Sequence, residues 1–185
     1  MPESKIISKD QFNTDIQKMK NYLKFQVDNS QEDELIIQMM NSAVEQIEKH
    51  CNILLRKCTV DCYFEDFDID SGIVLLPLIP LSDVLNVYLI DEQGIETETT
   101  GFYVYGGQAK EVKISTWSKD ERIRVRYIGG YGIKTEGKET EPIPETAQLA
   151  INKTVAWWYE HRDDSMTLPG EVRRMLNQIS YKSWI

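Results

Sequence analysis

The stretch TVAWWYEHRDD, residues 154–164, crowds two indoles, a phenol, an imidazole, a guanidinium and three carboxylates into eleven positions. Glu160, His161, Asp163 and Asp164 can each ligate a metal, and a metal with bound water there would support hydrolysis. His161, Arg162 and Asp163 also spell the opening of a protein-kinase catalytic loop. Spacing weighs against both. Helical ligands share a face only three or four residues apart, a condition met by Glu160 with Asp163 or Asp164. His161 points about 100° away from Glu160 and lies over Trp157 and Trp158. A kinase needs a glycine-rich loop, a strand lysine and a DFG magnesium site, and the sequence has none of them. His161 and Arg162 therefore read as a cationic cap on a helix end, packed on indoles.

Two further clusters invite chemistry. His50, Cys51, Cys58 and Cys62 suggest zinc, yet no C-x2-C knuckle occurs, and Cys58 and Cys62 share one parity of a strand, as small core residues do. The loop GGYGIKTEG resembles a phosphate cradle, but Ile133 separates Gly132 from Lys134 and no helix follows at once. With only two histidines and no G-x-S-x-G, no catalytic residue, metal or cofactor is expected.

These groups must be positioned by elements legible in the hydrophobic period. Phe12, Ile16, Met19 and Leu23 recur at helical spacing, predicting a short helix over about 15–24 with Thr14 as N-cap. A second helix follows DNSQED, with Ser30 and Asp33 as a capping-box-like pair. Its apolar face is Ile36, Met40, Ala43, Val44 and Ile47, and it ends between about His50 and Leu55. From Cys58 the period becomes two. CTVDCYFEDF, VLNVYLI, FYVYGG, EVKIS and RIRVRYI predict five or six antiparallel strands between about 58 and 129, interrupted by LPLIPLSDV. Pro77 and Pro80 suit edge or crossover positions there.

A helix from Pro144 to about Arg162 turns Ala147, Ala150, Ile151, Thr154, Val155, Trp157, Trp158 and His161 into one arc, with Leu149 and Ala156 opposite as a weaker contact face. The last helix starts near Pro169 and faces Val172, Met175, Leu176 and Ile179 inward. The predicted fold class is α+β. Helices from both ends of the chain (1–57 and 143–185) form one bundle, a small antiparallel sheet or sandwich (58–132) is inserted between them, and 133–142 is a flexible loop.

The bulk numbers agree with a single globular protein: 185 residues, 41% hydrophobic and 28% charged. No apolar run is long enough for a membrane span and the start lacks a signal peptide's apolar block, so a reducing cytoplasm is expected for the three cysteines. A net charge of −9 argues against binding nucleic acid through a general basic face.

Several landmarks recur in one order: DNSQEDELIIQMMNSAVEQIEKHCN, LPLIPLSDVLNVYLIDEQG, IRVRYIGGYG, IPETAQLAINKTVAWWYEHRDD and LPGEVRRMLNQIS. Together they resemble the head-tail connector family of tailed bacteriophages and prophages, also called adaptor or DNA-packaging proteins, in a longer type with a β insertion. The residues that carry the resemblance are Asp33 and Glu34, Glu45 and Glu48, Pro77, Pro80 and Val84, Gly130 and Tyr131, and Trp157, Trp158, Tyr159, Glu160 and Arg162. The resemblance implies a non-enzymatic virion component, assembled in the bacterial host cytoplasm. As a homo-oligomeric, dodecamer-like ring under the portal protein it would extend the DNA channel and dock a downstream neck or tail protein. DNA would pass without sequence-specific binding, and no membrane is involved. Leu149 and Ala156, with Tyr181 and Trp184 of the tail ISYKSWI and the loop 133–142, are the expected interaction residues. The alternatives are a small metal-dependent hydrolase using the acidic and histidine cluster, and a monomeric prophage binding module.

Overall fold

The computed structural model describes residues 2–13, 15–24, 32–65, 69–106, 111–118, 121–135, 138–161 and 166–181. The chain forms two compact units: Gln11–Leu55 joins Ile143–Tyr181 in a helical unit, and the chain start through Asp10 joins Arg56–Pro142 in a β unit. The α+β class read from the sequence is the class observed.

The helical unit holds α1 (Ile16–Tyr22), α2 (Asp33–Cys51), α3 (Glu145–Glu160) and α4 (Gly170–Leu176). Asp15 caps α1, its carboxylate accepting the Lys18 N–H at 3.1 Å. The expected caps Thr14 and Ser30 lie outside the described residues. α2 buries Ile36, Met40, Ala43, Val44 and Ile47 as its period predicts, and Met39 widens the stripe. It stops at Cys51 because Asn52 turns left-handed at φ 54°, while the buried Glu48 carboxylate accepts the Leu55 N–H at 2.9 Å. α3 packs on α2 and α4, burying Ala147, Ala150, Ile151, Thr154, Val155 and Trp158. Lys20 is buried, and its ammonium meets Asp33 at 2.5 Å, tying α1 to the start of α2.

In the β unit a five-stranded antiparallel sheet runs β1 (Glu3–Lys9), β2 (Cys58–Phe64), β8 (Arg122–Gly129), β4 (Leu81–Ile90), β5 (Glu96–Thr99). A three-stranded sheet runs β3 (Ile73–Leu75), β7 (Glu111–Ile114), β6 (Phe102–Tyr105). One face of the larger sheet is the core: Val60, Cys62 and Phe64 on β2, Ile123, Val125 and Tyr127 on β8, Val87 and Leu89 on β4. The opposite face is polar, as period-two alternation demands.

Three expectations change. Residues 3–9, read as part of the helical body, form β1 and pair with β2; ESKIISK does not alternate apolar and polar side chains, because its edge position asks of it only backbone hydrogen bonds. Among the described residues of 58–129 there are seven strands, not five or six, because β3 and the all-polar ETET of β5 are strands by pairing rather than by pattern. The expected loop 133–142 contains β9 (Lys134–Thr135) paired with β10 (Lys138–Glu139). That hairpin is closed at its base, where the Ile133 N–H donates to the Thr140 hydroxyl at 2.8 Å and the Thr140 N–H to the Ile133 carbonyl at 3.0 Å.

Candidate assembly surfaces

At the end of α3 the consecutive indoles separate into two roles. Trp158 is 2% exposed, and its Nε1–H donates to the Thr167 carbonyl at 2.9 Å, fastening the chain after α3 back onto the helix. Trp157 is 45% exposed, a correction to its expected place in the buried arc. It lies 100° around the helix from Trp158, and the His161 imidazole stacks on it with ring centroids 3.9 Å apart and planes 15° from parallel. His161 Nδ1–H donates to the Trp157 carbonyl at 2.9 Å, closing the last turn as expected of a terminal cap. The Tyr159 hydroxyl donates to the Glu32 carboxylate, joining the end of α3 to the start of α2. Glu160 is exposed, and Arg162, Asp163 and Asp164 lie outside the described residues.

Among the described residues no group of three or more His, Cys, Asp or Glu side chains stands close enough to hold a metal. Cys51 is buried, and burial raises its thiol pKa above the usual value. Its Sγ–H donates to the Leu176 carbonyl at 3.8 Å, so this cysteine packs α2 against α4.

The Pro80 and Gly130 landmarks meet in the β unit. The Gly130 N–H donates to the Pro80 carbonyl at 2.9 Å. Gly130 has φ 138°, and a Cβ there would stand 2.3 Å from the Arg56 carbonyl oxygen, so only glycine fits where β8 ends against the 56–57 backbone. Tyr131 follows, buried. Pro80 directly precedes β4, where no ladder N–H is required, and its bond to Ile79 is cis.

The polar face of the larger sheet carries a network that sequence reasoning missed. Asp61 of β2 is buried and accepts from Arg126 twice, Nε at 2.7 Å and Nη2 at 2.6 Å, and from Arg124 Nη1 at 3.2 Å. Arg124 also donates to Glu96 of β5, and its guanidinium carbon lies 4.1 Å from the centre of the Tyr88 ring. Asn86 donates to Glu98 at 2.7 Å. The hydrogen bonds from Arg126 lead in holding the Asp61 carboxyl below its ordinary pKa, with the Arg124 charge adding to them against the opposing effect of burial. The signal in the sequence was the alternation RIRVR opposite an aspartate inside CTVDCYF.

Exposed apolar groups gather at three places. Leu149 is 41% exposed, and the half-buried Ala156 lines a shallow groove on the helical unit with Tyr22, Trp157 and the Lys153–Glu171 ion pair at 2.5 Å. On β6, Tyr103, Val104 and Tyr105 are exposed, as are Ile6 and Ile7 on β1. Tyr181 is half-buried rather than free at a tail: its N–H donates to the Cys51 carbonyl at 2.8 Å and its carbonyl accepts from Asn52 Nδ2 at 3.4 Å. Trp184 lies outside the described residues. No helix among the described residues is long and apolar enough to cross a membrane.

No protein-family model and no curated protein sequence matches the chain. Solved structures do. A chain in the neck of an empty gene transfer agent particle, computed with C6 symmetry, superposes with a TM-score of 0.72 at 14% identity, over 99% of this chain and 97% of that one. A chain in the virion of the native gene transfer agent particle gives 0.71 at 15% identity, over 98% and 97%. One in the native neck, computed with C12 symmetry, gives 0.63 at 14% identity, over 97% and 98%. At such identities the likeness is one of fold, and it spans both units: the fold of this chain is one found in chains of phage-like particles, including their necks.

Proposed function

We propose that this protein is a structural component of the neck of a tailed phage or prophage-derived particle, a head-tail connector that repeats as a ring under the portal, extends the DNA channel and docks the next neck or tail protein. The observation that carries the reading is the match in fold over nearly the whole chain to chains of gene transfer agent necks, and the neck is also the place of the head-tail connectors that the sequence landmarks resemble. The C6 and C12 symmetries of those necks support a ring of copies here. Further support comes from the landmarks themselves. Trp158, Tyr159, Pro80 and Gly130 all fasten the fold together, as suits a protein whose work is to hold a shape. A net charge of −9 suits a channel wall past which DNA slides without adhering. Leu149, Ala156 and Trp157 offer an exposed helical face for a neighbouring subunit or neck protein, and the connector carries no catalytic site.

The test is deletion of the gene from the phage or prophage that encodes it, followed by electron microscopy of the particles. DNA-filled heads that leak or lack tails are expected. Tailed, infectious particles made without the protein overturn the reading.

A further inference from the structure

Among the described residues the five-stranded sheet ends in two edges that no further strand covers, and they differ in charge. At one end, β1 pairs with β2 alone among the described strands, and residues 3–8 are exposed on both faces, including Ile6 at 43% and Ile7 at 47%. At the other end, β5 pairs with β4 alone among the described strands, and Glu96, Thr97 and Glu98 are exposed. A long exposed edge bearing apolar side chains is a template for another strand, and natural proteins normally shield it. Here β1 contributes Lys5 and Lys9, and β5 contributes Glu96 and Glu98.

Register makes the two edges compatible. Lys5 pairs with Asp61, Asp61 with Arg126, and Arg126 with Asn86, which puts Lys5 on the polar face of the sheet. Glu98 pairs with Tyr88, two residues from Asn86, so Glu98 and Glu96 lie on that same face. A sheet continued from β5 of one copy into β1 of the next would therefore place Lys5 beside the two glutamates. It would also extend the ladder of charges already formed by Asp61, Arg124 and Arg126. Four successive antiparallel steps give β1 and β5 the same direction. Copies set side by side in one orientation would then pair these strands in parallel.

We infer that β5 of one subunit binds β1 of its neighbour, a second copy of this chain, by strand addition. The contact is heterologous: each copy presents one edge and accepts the other, the arrangement that closes into a ring or runs on as a filament, whereas β1 against β1 would stop at a dimer. Carboxylate oxygens accept several hydrogen bonds each, so Glu96 and Glu98 keep capacity for a neighbour's lysine while bonded to Arg124 and Asn86. The inference rests on the neck reading and adds the surface by which the copies join.

The test uses Ser4→Cys and Thr97→Cys, both at exposed positions on the same face of the sheet, in particles assembled with the variant chain and treated with a short bis-maleimide. The native cysteines Cys51, Cys58 and Cys62 are buried, so the unaltered protein serves as a blank. The double variant is expected to give a ladder of two, three, four and more linked chains on a denaturing gel. Each single variant is expected to stay unlinked, and the two single variants co-assembled should stop at pairs. Linked pairs from Ser4→Cys alone, or its linkage to a different protein, overturn the inference. Particles that contain the chain but give no ladder overturn it too, while leaving the neck reading standing. Particles made with the unaltered protein that lack the chain overturn both.

Discussion

Asp61 and Arg126 face each other across β2 and β8 and form a two-pronged ion pair, Nε to Oδ1 at 2.7 Å and Nη2 to Oδ2 at 2.6 Å. Asp61 sits in the second strand of the sheet and Arg126 in the third, and Arg124 reaches the same carboxylate from two residues along. Two planar forks matched to one buried carboxylate fix the register of these strands. A slip by one residue would leave charges on the apolar face.

Removing the carboxylate should therefore cost more than one hydrogen bond. Asp61→Asn takes from the buried Arg124 one of its two carboxylate partners, leaving it Glu96, and takes from Arg126 its two-pronged ion pair, and a loss of about 3 kcal/mol in unfolding free energy is expected. Urea denaturation followed by circular dichroism measures it. A change within the scatter of ordinary surface substitutions would show that the network contributes little.

The same carboxylate makes stability depend on acid. Because the folded protein holds the Asp61 pKa below its ordinary value of 3.8, its contribution is complete above that value and fades as pH falls through the lower, folded pKa. Urea midpoints should drop below about pH 4 more steeply in the unaltered protein than in Asp61→Asn. Parallel curves for the two proteins would remove Asp61 as the cause.

Gly130→Ala forces a Cβ to 2.3 Å from the Arg56 carbonyl oxygen at φ 138°. Backbone must move, and the Gly130–Pro80 hydrogen bond is strained with it. A loss of about 2 kcal/mol or more is expected, read as a lowered Tm. Gly132→Ala is the comparison. It too has a positive φ, 66°, but a Cβ there meets nothing within 4 Å, so its cost should be the smaller of the two.

The two neighbouring indoles should respond differently to truncation. Trp158→Ala opens a cavity in the helical unit and strands the Thr167 carbonyl, at a cost of about 3–5 kcal/mol. Trp157→Ala removes only the stacking on His161 and an exposed surface, about 1 kcal/mol or less. If Trp157 serves assembly, its variant should remain folded by circular dichroism yet be under-represented in purified particles. Equal losses of stability at both positions would contradict the division of roles.

The sequence by itself determined the helices and the strands with strong period. The stripe of α2, the buried arc of α3 through Trp158, the alternation of β2 and β8, and the α+β class follow from where apolar side chains recur, because burial selects one face of each element. Landmark residues were legible as a set, though their reasons were not. That Gly130 is pressed against Arg56, or that Tyr159 reaches Glu32 across 127 positions, depends on atoms distant in sequence.

Only the tertiary structure decided the rest. β1, β3 and β5 are strands because a neighbour supplies hydrogen bonds, so ESKIISK and ETET need no pattern of their own. Trp157 and Trp158 have the same chemistry, and both lie within the arc that the helical wheel allows. Which of them is buried depends on where the 166–169 segment returns to cover α3, and that path is set by long-range packing which no local period records.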